Sequence, residues 1–278
     1  MFGGTDMRQS IANLTAPVLA GVVRETTTRG AIGQIKNCLY DGAGMIDLHM
    51  SCLEDSSVAE LKKIIDSTSL PILALNYNNT FMWKNAGLSE EERVESFLRA
   101  VEAGADGVDI QSYTYDLPSK QGFVGEDKYS FTKGNPKEIV TDKAIIAKQS
   151  TLIEKVHAMG AEVLLSCHPR IPMKAAQVVD LALFLEDRNP DVIKIVTRAE
   201  TEEDLVESFR TMHLLKKAIK TPITYHAAGK YGMLSRLINP VLGGHMAFCV
   251  DGFNAGSTME QVPLQSAKMI IEGLQKYL

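Results

Sequence analysis

AEVLLSCHPRIPMKAAQVVDLALFLEDRNPDVIKIVT, residues 161–197, decides the fold. It opens on an apolar run, Ala161–His168, passes through an amphipathic stretch, Pro172–Asp187, and returns to a second apolar run, Asp191–Thr197. Strand, helix, strand at this spacing is a βαβ unit with parallel strands. The alternation continues on both sides. Towards the N-terminus the apolar runs are Pro17–Val23, Met45–Met50, Pro71–Tyr77 and Gly107–Gln111; towards the C-terminus they are Ile223–Ala228 and Met246–Asp251. The other helical patterns are Gly30–Tyr40, Ser56–Ser67, Ser89–Ala103, Pro136–Met159, Thr201–Ile219, Gly232–Leu242 and Val262–Tyr277. Two of them carry start signals: Ser89 precedes Glu92 by three residues, and Thr201 precedes Asp204 by three. Eight strand–helix units in about 250 residues predict an α/β protein, a (β/α)8 TIM barrel. A doubly wound open sheet would need fewer units. No linker divides the chain, so one domain is expected over residues 1–278. The irregular stretch Tyr113–Asn135 is longer than an ordinary βα loop. On a barrel it falls on the catalytic face, where both a lid and a solvated excursion are open readings.

Composition narrows the function class. The chain has 278 residues, is 45% hydrophobic and 23% charged, and carries a net charge of −5. Together with a pI near 5.7, this argues against nucleic acid or an anionic membrane as partner. Ala16–Val23 is too short to span a bilayer, which takes about 20 residues. Four cysteines with neither a CxxC pair nor zinc spacing read as reduced thiols in a cytoplasmic protein.

The polar residues inside the strands are the next signal. Barrel strands are covered on both faces, so a polar side chain there costs free energy unless it is paired or lines a site. In Ile46-Asp47-Leu48-His49-Met50-Ser51 the period of two puts Asp47, His49 and Ser51 on one face. Asp109 and Gln111 share a face on the fourth strand. Ser166 and His168 end the fifth, Lys194 interrupts four aliphatics on the sixth, and Thr224 and His226 lie on the seventh. Polar inner faces near strand C-termini describe a TIM-barrel active site. Dehydration disfavours an ammonium, and a neutral amine in a dry pocket is a nucleophile toward carbonyls. Lys194 is therefore a candidate imine former, with outward snorkelling or pairing to a buried carboxylate as the bland alternatives. His168, on the adjacent strand, is the candidate acid/base.

These residues carry a resemblance. Leu165-Ser166-Cys167-His168 followed by Ile193-Lys194 is similar to the His and Schiff-base Lys of type I 3-dehydroquinate dehydratases. Thr221-Pro222-Ile223-Thr224, Gly229-Lys230-Tyr231-Gly232 and Ser235-Arg236-Leu237 resemble that family's "I-T…G-K-x-G…S-R" stretch. Ser257 and Gln261 keep its Ser-x-x-x-Gln spacing. The resemblance runs over the whole barrel and leaves the inserted loop at 113–135 outside it. It implies a shikimate-pathway lyase. Lys194 would form an imine with a ring ketone, and His168 would remove a proton beside it and protonate the departing hydroxyl. Arg236, Ser257 and Gln261 would clamp the carboxylate of a cyclic keto acid. It also implies that no cofactor is needed and leaves a homodimer as the expectation for assembly.

The departures are as informative. The family's glutamate beside the catalytic His corresponds here to Gln111, a neutral amide expected to orient His168 without stabilising its imidazolium. Its Glu-x-Arg pair on strand 2 corresponds to Asp47 and His49, and its Arg on strand 3 to Tyr77. The imine and carboxylate groups are kept, and the part that reads the far hydroxyls is rebuilt, so the expected substrate is 3-dehydroquinate or a close cyclic keto acid, with another keto acid as the alternative. Two other classes compete with this one. A divalent-metal enzyme would use Asp47, His49, His168, His226 and His245, although no HxH or HExxH spacing is present. A non-catalytic sensor of cyclic acids has no use for an intact Lys194 and His168. His157 and His213 read as surface residues on helices, and Trp83, with Phe81 and Met82, as a cap on the pocket or as packing under a lid.

Overall fold

In the computed structural model, which describes residues 9–77, 88–253 and 259–277, strands and helices alternate along the chain. The strands are β1 (Val18–Val23), β2 (Met45–His49), β3 (Ile72–Leu75), β4 (Gly107–Gln111), β5 (Glu162–Cys167), β6 (Val192–Arg198), β7 (Ile223–Ala228), β8 (Met246–Val250) and the two-residue β9 (Val262–Pro263). The helices are α1 (Thr28–Tyr40), α2 (Val58–Ile65), α3 (Glu90–Ala103), α4 (Lys143–Ala158), α5 (Ala175–Glu186), α6 (Glu202–Ala218), α7 (Ser235–Val241) and α8 (Leu264–Gln275). All strand pairs are parallel, in the order β7-β6-β5-β4-β3-β2-β1-β8-β9. Two bonds join the ends into a ring. The His245 backbone N–H donates to Ile223 O at 2.8 Å, and that of Met246 donates to Thr224 Oγ1 at 3.0 Å. The predicted (β/α)8 barrel is the observed fold.

The two apolar clusters follow from the period of two along each strand. One set of alternate residues faces outward and packs against the helices: Ile46, Leu48, Ile72, Val108, Ile110, Leu165, Ile193 and Ile195 belong to the large cluster with Ile35, Leu61, Phe97 and Leu181 of the helices. The other set faces the barrel axis, where Ala20, Val22, Met45, Leu73, Leu164, Val192, Met246 and Phe248 meet Ile11. Each Leu, Ile or Met so buried contributes about 1.5–3 kcal/mol. Ile11 closes the floor. Ser10 Oγ donates to Glu162 Oε1 at 2.5 Å, Ala12 N to Glu162 Oε2 at 2.8 Å and Gln9 N to Asp106 Oδ1 at 2.8 Å. Gly107 makes room for this plug, since a Cβ there would lie 2.7 Å from Ile11 Cδ1 and 3.0 Å from Glu162 O. All four cysteines are buried free thiols. Among the described residues no helix is long and apolar enough to cross a membrane.

Helix starts agree with the sequence signals. Ser89 with Glu92, and Thr201 with Asp204, form reciprocal capping boxes. One expectation is corrected: α4 begins at Lys143, not at Pro136, because Asp142 caps it by accepting from Ala144 N and Ile145 N. The residues before it form a non-helical segment in which Glu138 has a φ of 61°, a left-handed conformation uncommon for a residue with a long side chain.

The stretch at 113–135 is anchored rather than free in solvent. It contains two 3₁₀ turns, Leu117–Gln121 and Ser130–Thr132. Phe131 is buried and packs with its ring centroid 5.0 Å from Tyr129 and 5.0 Å from Phe184 on α5. Gln177 Nε2 donates to Ser130 O at 2.9 Å, and Ser130 bonds Asp180.

Candidate active site

Strand register builds the site in layers along the barrel axis. Above the apolar floor, Gln111, Ser166, Lys194 and Thr224 lie in register across β4 to β7. Asp109, two residues before Gln111, shares its face. One step further toward the strand C-termini come His168 and His226.

Lys194 is buried. Its Nζ lies 3.5 Å from Asp109 Oδ2, 3.3 Å from the Tyr77 hydroxyl and 4.1 Å from the Phe248 ring centroid. The bland pairing with a buried carboxylate is therefore real, and it coexists with a position at the centre of the pocket. Asp109 is fully buried and satisfied independently of the lysine: Ser166 Oγ donates to its Oδ1 at 2.5 Å and Gln111 Nε2 donates to the same oxygen at 3.3 Å.

His168 follows β5. Its Nδ1 lies 2.8 Å from Glu138 Oε2, which also accepts its backbone N–H at 2.9 Å. A carboxylate at Nδ1 fixes the ring proton there and leaves Nε2 as acceptor. Nε2 lies 3.4 Å from the Tyr77 hydroxyl. Burial pushes the Glu138 carboxyl up, but the charge and hydrogen bonds of His168 outweigh it and hold the carboxyl below its ordinary range. Glu138 is itself locked, its N–H donating to Ser119 O at 2.8 Å and its carbonyl accepting from Ser112 Oγ at 2.7 Å.

The expectation that Gln111 orients His168 is thereby corrected. Gln111 is fully buried and accepts from Arg93 Nη1 at 2.5 Å, while its Nε2 donates to Asp109 O at 2.6 Å. Arg93, on α3, also donates to Asn76 O, Thr114 Oγ1 and both carboxylate oxygens of Glu90. This buried guanidinium ties the tops of β3 and β4 together, and Gln111 belongs to that tie.

Tyr77 lies between Lys194 and His168, with its hydroxyl also 3.5 Å from Asp109 Oδ2. Loss of hydration and then the negative charges of Asp109, Asp47 and Glu138 push its phenol well above the ordinary value. It stays protonated. His49 packs edge-on against Tyr77, centroids 6.1 Å apart, and its Nε2 meets Asp47 Oδ2 at 3.3 Å. Its Nδ1 accepts from Arg24 Nε at 3.4 Å. Arg24 was not foreseen. It follows the last residue of β1, a strand-end position like those of the other site residues, and its Nη1 donates to Gln261 Oε1 at 2.7 Å. At the mouth, Arg236 Nη2 donates to Glu260 Oε2 at 3.2 Å, and Glu260 Oε1 accepts from Gly229 N at 2.8 Å. Arg236 Nε is buried with no hydrogen-bond partner among the described residues.

Ser257, Phe81, Met82 and Trp83 lie outside the described residues. His213 is exposed as expected. His157 is not a free surface group: its Nε2 meets Asp191 Oδ2 at 2.8 Å. His245 is separated from the other four candidate metal ligands, since its Nε2 bonds Ile11 O at the barrel floor. Among the described residues no group of three or more His, Cys, Asp or Glu could hold a metal ion.

Three buried histidines give the fold a pH dependence. Burial lowers His226 well below its ordinary value, with the charges of Arg236, Lys194 and His168 adding to it. Burial and Arg24 lower His49, and burial lowers His245. A base with a depressed folded value binds its proton more readily when unfolded. Its contribution to stability is present above the unfolded value of about 6.5 and is lost as pH falls below that value. Each histidine contributes at most about 1.4 kcal/mol per pH unit in that window. Urea unfolding midpoints are expected to fall between pH 7 and pH 5, and His226→Met is expected to flatten that slope. A wild-type midpoint that does not change with pH would show these rings to be charged in the fold.

A closed parallel barrel that gathers a buried lysine and a carboxylate-held histidine at its C-terminal mouth has the arrangement of a TIM-barrel enzyme. Comparison with known proteins agrees. The type I 3-dehydroquinase family matches residues 22–277. The 3-dehydroquinate dehydratase of Aromatoleum aromaticum is 23% identical over 236 residues, covering 84% of this chain and 79% of that protein. Among solved structures, the 3-dehydroquinate dehydratase of Geobacillus kaustophilus superposes with a TM-score of 0.76 at 14% identity, covering 97% of this chain and 96% of that one. The type I 3-dehydroquinate dehydratase of Clostridium difficile, described with covalent modified comenic acid, gives 0.73 at 13% identity, covering 98% and 95%. These two structures show the shared fold. The chain belongs to the type I 3-dehydroquinase family, a family of lyases.

Proposed function

We propose that the protein is a Schiff-base hydro-lyase that removes water from 3-dehydroquinate or a close cyclic keto acid. The observation that carries this reading is Lys194 Nζ, buried beside Asp109 and Tyr77, with His168 held by Glu138 across the same hydroxyl. Lys194 forms an imine with the ring ketone. The protonated imine withdraws electrons from the adjacent carbon, and the unprotonated Nε2 of His168 takes the proton there. The imidazolium so formed gains from the Glu138 carboxylate at Nδ1 and then protonates the departing hydroxyl. Arg236 and Gln261 bind the carboxylate, for which a guanidinium fork is suited. The covalent adduct named for the Clostridium difficile relative supports a covalent route on this fold.

The substrate's far side meets a different set of groups. Asp47, His49 and Tyr77 stand where the family resemblance places Glu, Arg and Arg. Arg24 restores one guanidinium to that side from the end of β1, but tied to Gln261 and His49 rather than placed on β2 or β3. A site built for hydroxyls discriminates by orders of magnitude when its donors change. The protein is therefore expected to turn over 3-dehydroquinate, followed by absorbance of the conjugated product, more slowly than the Aromatoleum aromaticum relative assayed beside it. Arg236→Ala is expected to raise KM for the carboxylate substrate about 10²-fold, as loss of a charge-assisted pair predicts. Imine trapping without conjugated product would move the substrate to another keto acid. The absence of both product and trapped imine would overturn the reading.

A further inference from the structure

We propose that Tyr77 is a catalytic residue that carries protons between Lys194 and His168 while the imine forms and breaks. This rests on the Schiff-base reading above and deepens it. The three groups form a directed chain. Lys194 Nζ donates toward the Tyr77 oxygen at 3.3 Å. The Tyr77 hydroxyl faces His168 Nε2 at 3.4 Å, and Nε2 is the acceptor because Glu138 holds the ring proton on Nδ1 at 2.8 Å. The polarity therefore runs from amine through phenol to imidazole. These contacts are long for hydrogen bonds, and catalytic contacts commonly tighten when substrate enters.

Imine formation needs this traffic. An ammonium cannot attack a carbonyl. Tyr77 passes its proton to His168 Nε2 and takes one from the Lys194 ammonium, leaving a neutral amine and an imidazolium. The amine nitrogen attacks the ketone carbon, the C–N bond forms and the carbonyl π pair moves to oxygen. Tyr77 protonates that oxygen as it accepts a proton from the nitrogen, which gives a neutral carbinolamine. The C–O bond then breaks. Tyr77 protonates the departing hydroxyl as water and is reprotonated by the His168 imidazolium, while the nitrogen lone pair closes the C=N⁺ bond. Lys-NH₃⁺ and a ketone have become an iminium and water, with no other reactant. His168 ends neutral, the form it needs to remove the proton from the adjacent carbon. Burial and the surrounding carboxylates keep Tyr77 a phenol between transfers. Asp109, within 3.5 Å of both the phenol and the amine, compensates the positive charge on nitrogen in the starting ammonium and in the iminium that results.

The test is a time course. Wild type and Tyr77→Phe are mixed with 3-dehydroquinate, quenched with borohydride at intervals, and the mass added to the peptide containing Lys194 is measured. A relay changes the rate of labelling and not its final extent. Tyr77→Phe is expected to reach the wild-type extent about 10²-fold more slowly, the lower end of the usual range for positioned acid–base groups. Labelling at the wild-type rate overturns the relay and leaves the imine standing. A wild type that is never labelled overturns the imine, and the relay with it. If Tyr77→Phe does not fold, 3-fluorotyrosine at position 77 serves instead. Its more acidic phenol must change the labelling rate several-fold, and an unchanged rate overturns the relay.

Discussion

Lys194→Ala is expected to lose turnover by at least about 10⁴-fold and to lose the borohydride-trapped adduct altogether. Nothing else in the described pocket offers a primary amine on a strand, and the imine is the electron sink that makes the neighbouring carbon acidic. The variant also removes the cation beside Asp109, and an uncompensated buried charge is strongly destabilising. Here the cost is limited, because Ser166 Oγ and Gln111 Nε2 still donate to that carboxylate. Lys194→Met, which keeps the side-chain volume against Phe248, separates chemistry from packing. Both variants are expected to melt as single cooperative transitions and to be inert. Turnover surviving in either, or adduct mass on a different peptide in wild type, would remove Lys194 from the mechanism.

His168→Ala is expected to divide the reaction differently. Its turnover falls about 10²–10⁴-fold, while the adduct on Lys194 still accumulates, formed more slowly because Tyr77 has lost the ring with which it exchanges protons. The imine is made at Lys194, whereas the proton on the adjacent carbon is left without its base: the other carboxylate-held ring, His49, has both nitrogens engaged, by Asp47 and by Arg24. The fold should tolerate the change, since Glu138 still accepts the backbone N–H of residue 168. Glu138→Gln is the milder companion: it keeps that bond and the ring's position but removes the charge that stabilises the imidazolium. A His168→Ala variant with normal turnover would shift the base to His226, which faces the same pocket.

The barrel was legible because its strands are short, β-branched and separated by well-capped amphipathic helices, so local pattern and global fold agree. Lys194, His168 and Asp109 were legible for a related reason, whereas Tyr77 was marked only by the family resemblance. Polar residues at the C-terminal ends of buried strands have nowhere to go but the axis, and the structure brings them together. The partner of His168 was not legible. Glu138 lies 30 residues away in sequence, in a segment whose composition resembles the start of α4, and only its left-handed backbone and the bonds of Ser112 and Ser119 aim it at the histidine. Gln111 was misread for the converse reason. Position on the inner face says nothing about a competing partner, and Arg93, reaching in from α3, takes it. Arg24 gave one usable signal, its place directly after β1, but a single arginine at a strand end is indistinguishable from a surface residue until Gln261 and His49 are seen around it.

The placement of Glu138 separates two things that a strand position would weld together. A carboxylate on β4 would be at once a member of the hydrogen-bonded ladder, a neighbour of Arg93 and the electrostatic support of the histidine, so any change to it would disturb all three. Carried instead on the non-helical segment after the 3₁₀ turns, it lets sequence change around the histidine proceed on a loop, where insertions and replacements are cheap, while the ladder keeps its own glutamine. The charge set beside the His168 ring can therefore be tuned by changes confined to this segment, with the frame that carries the ring left as it is.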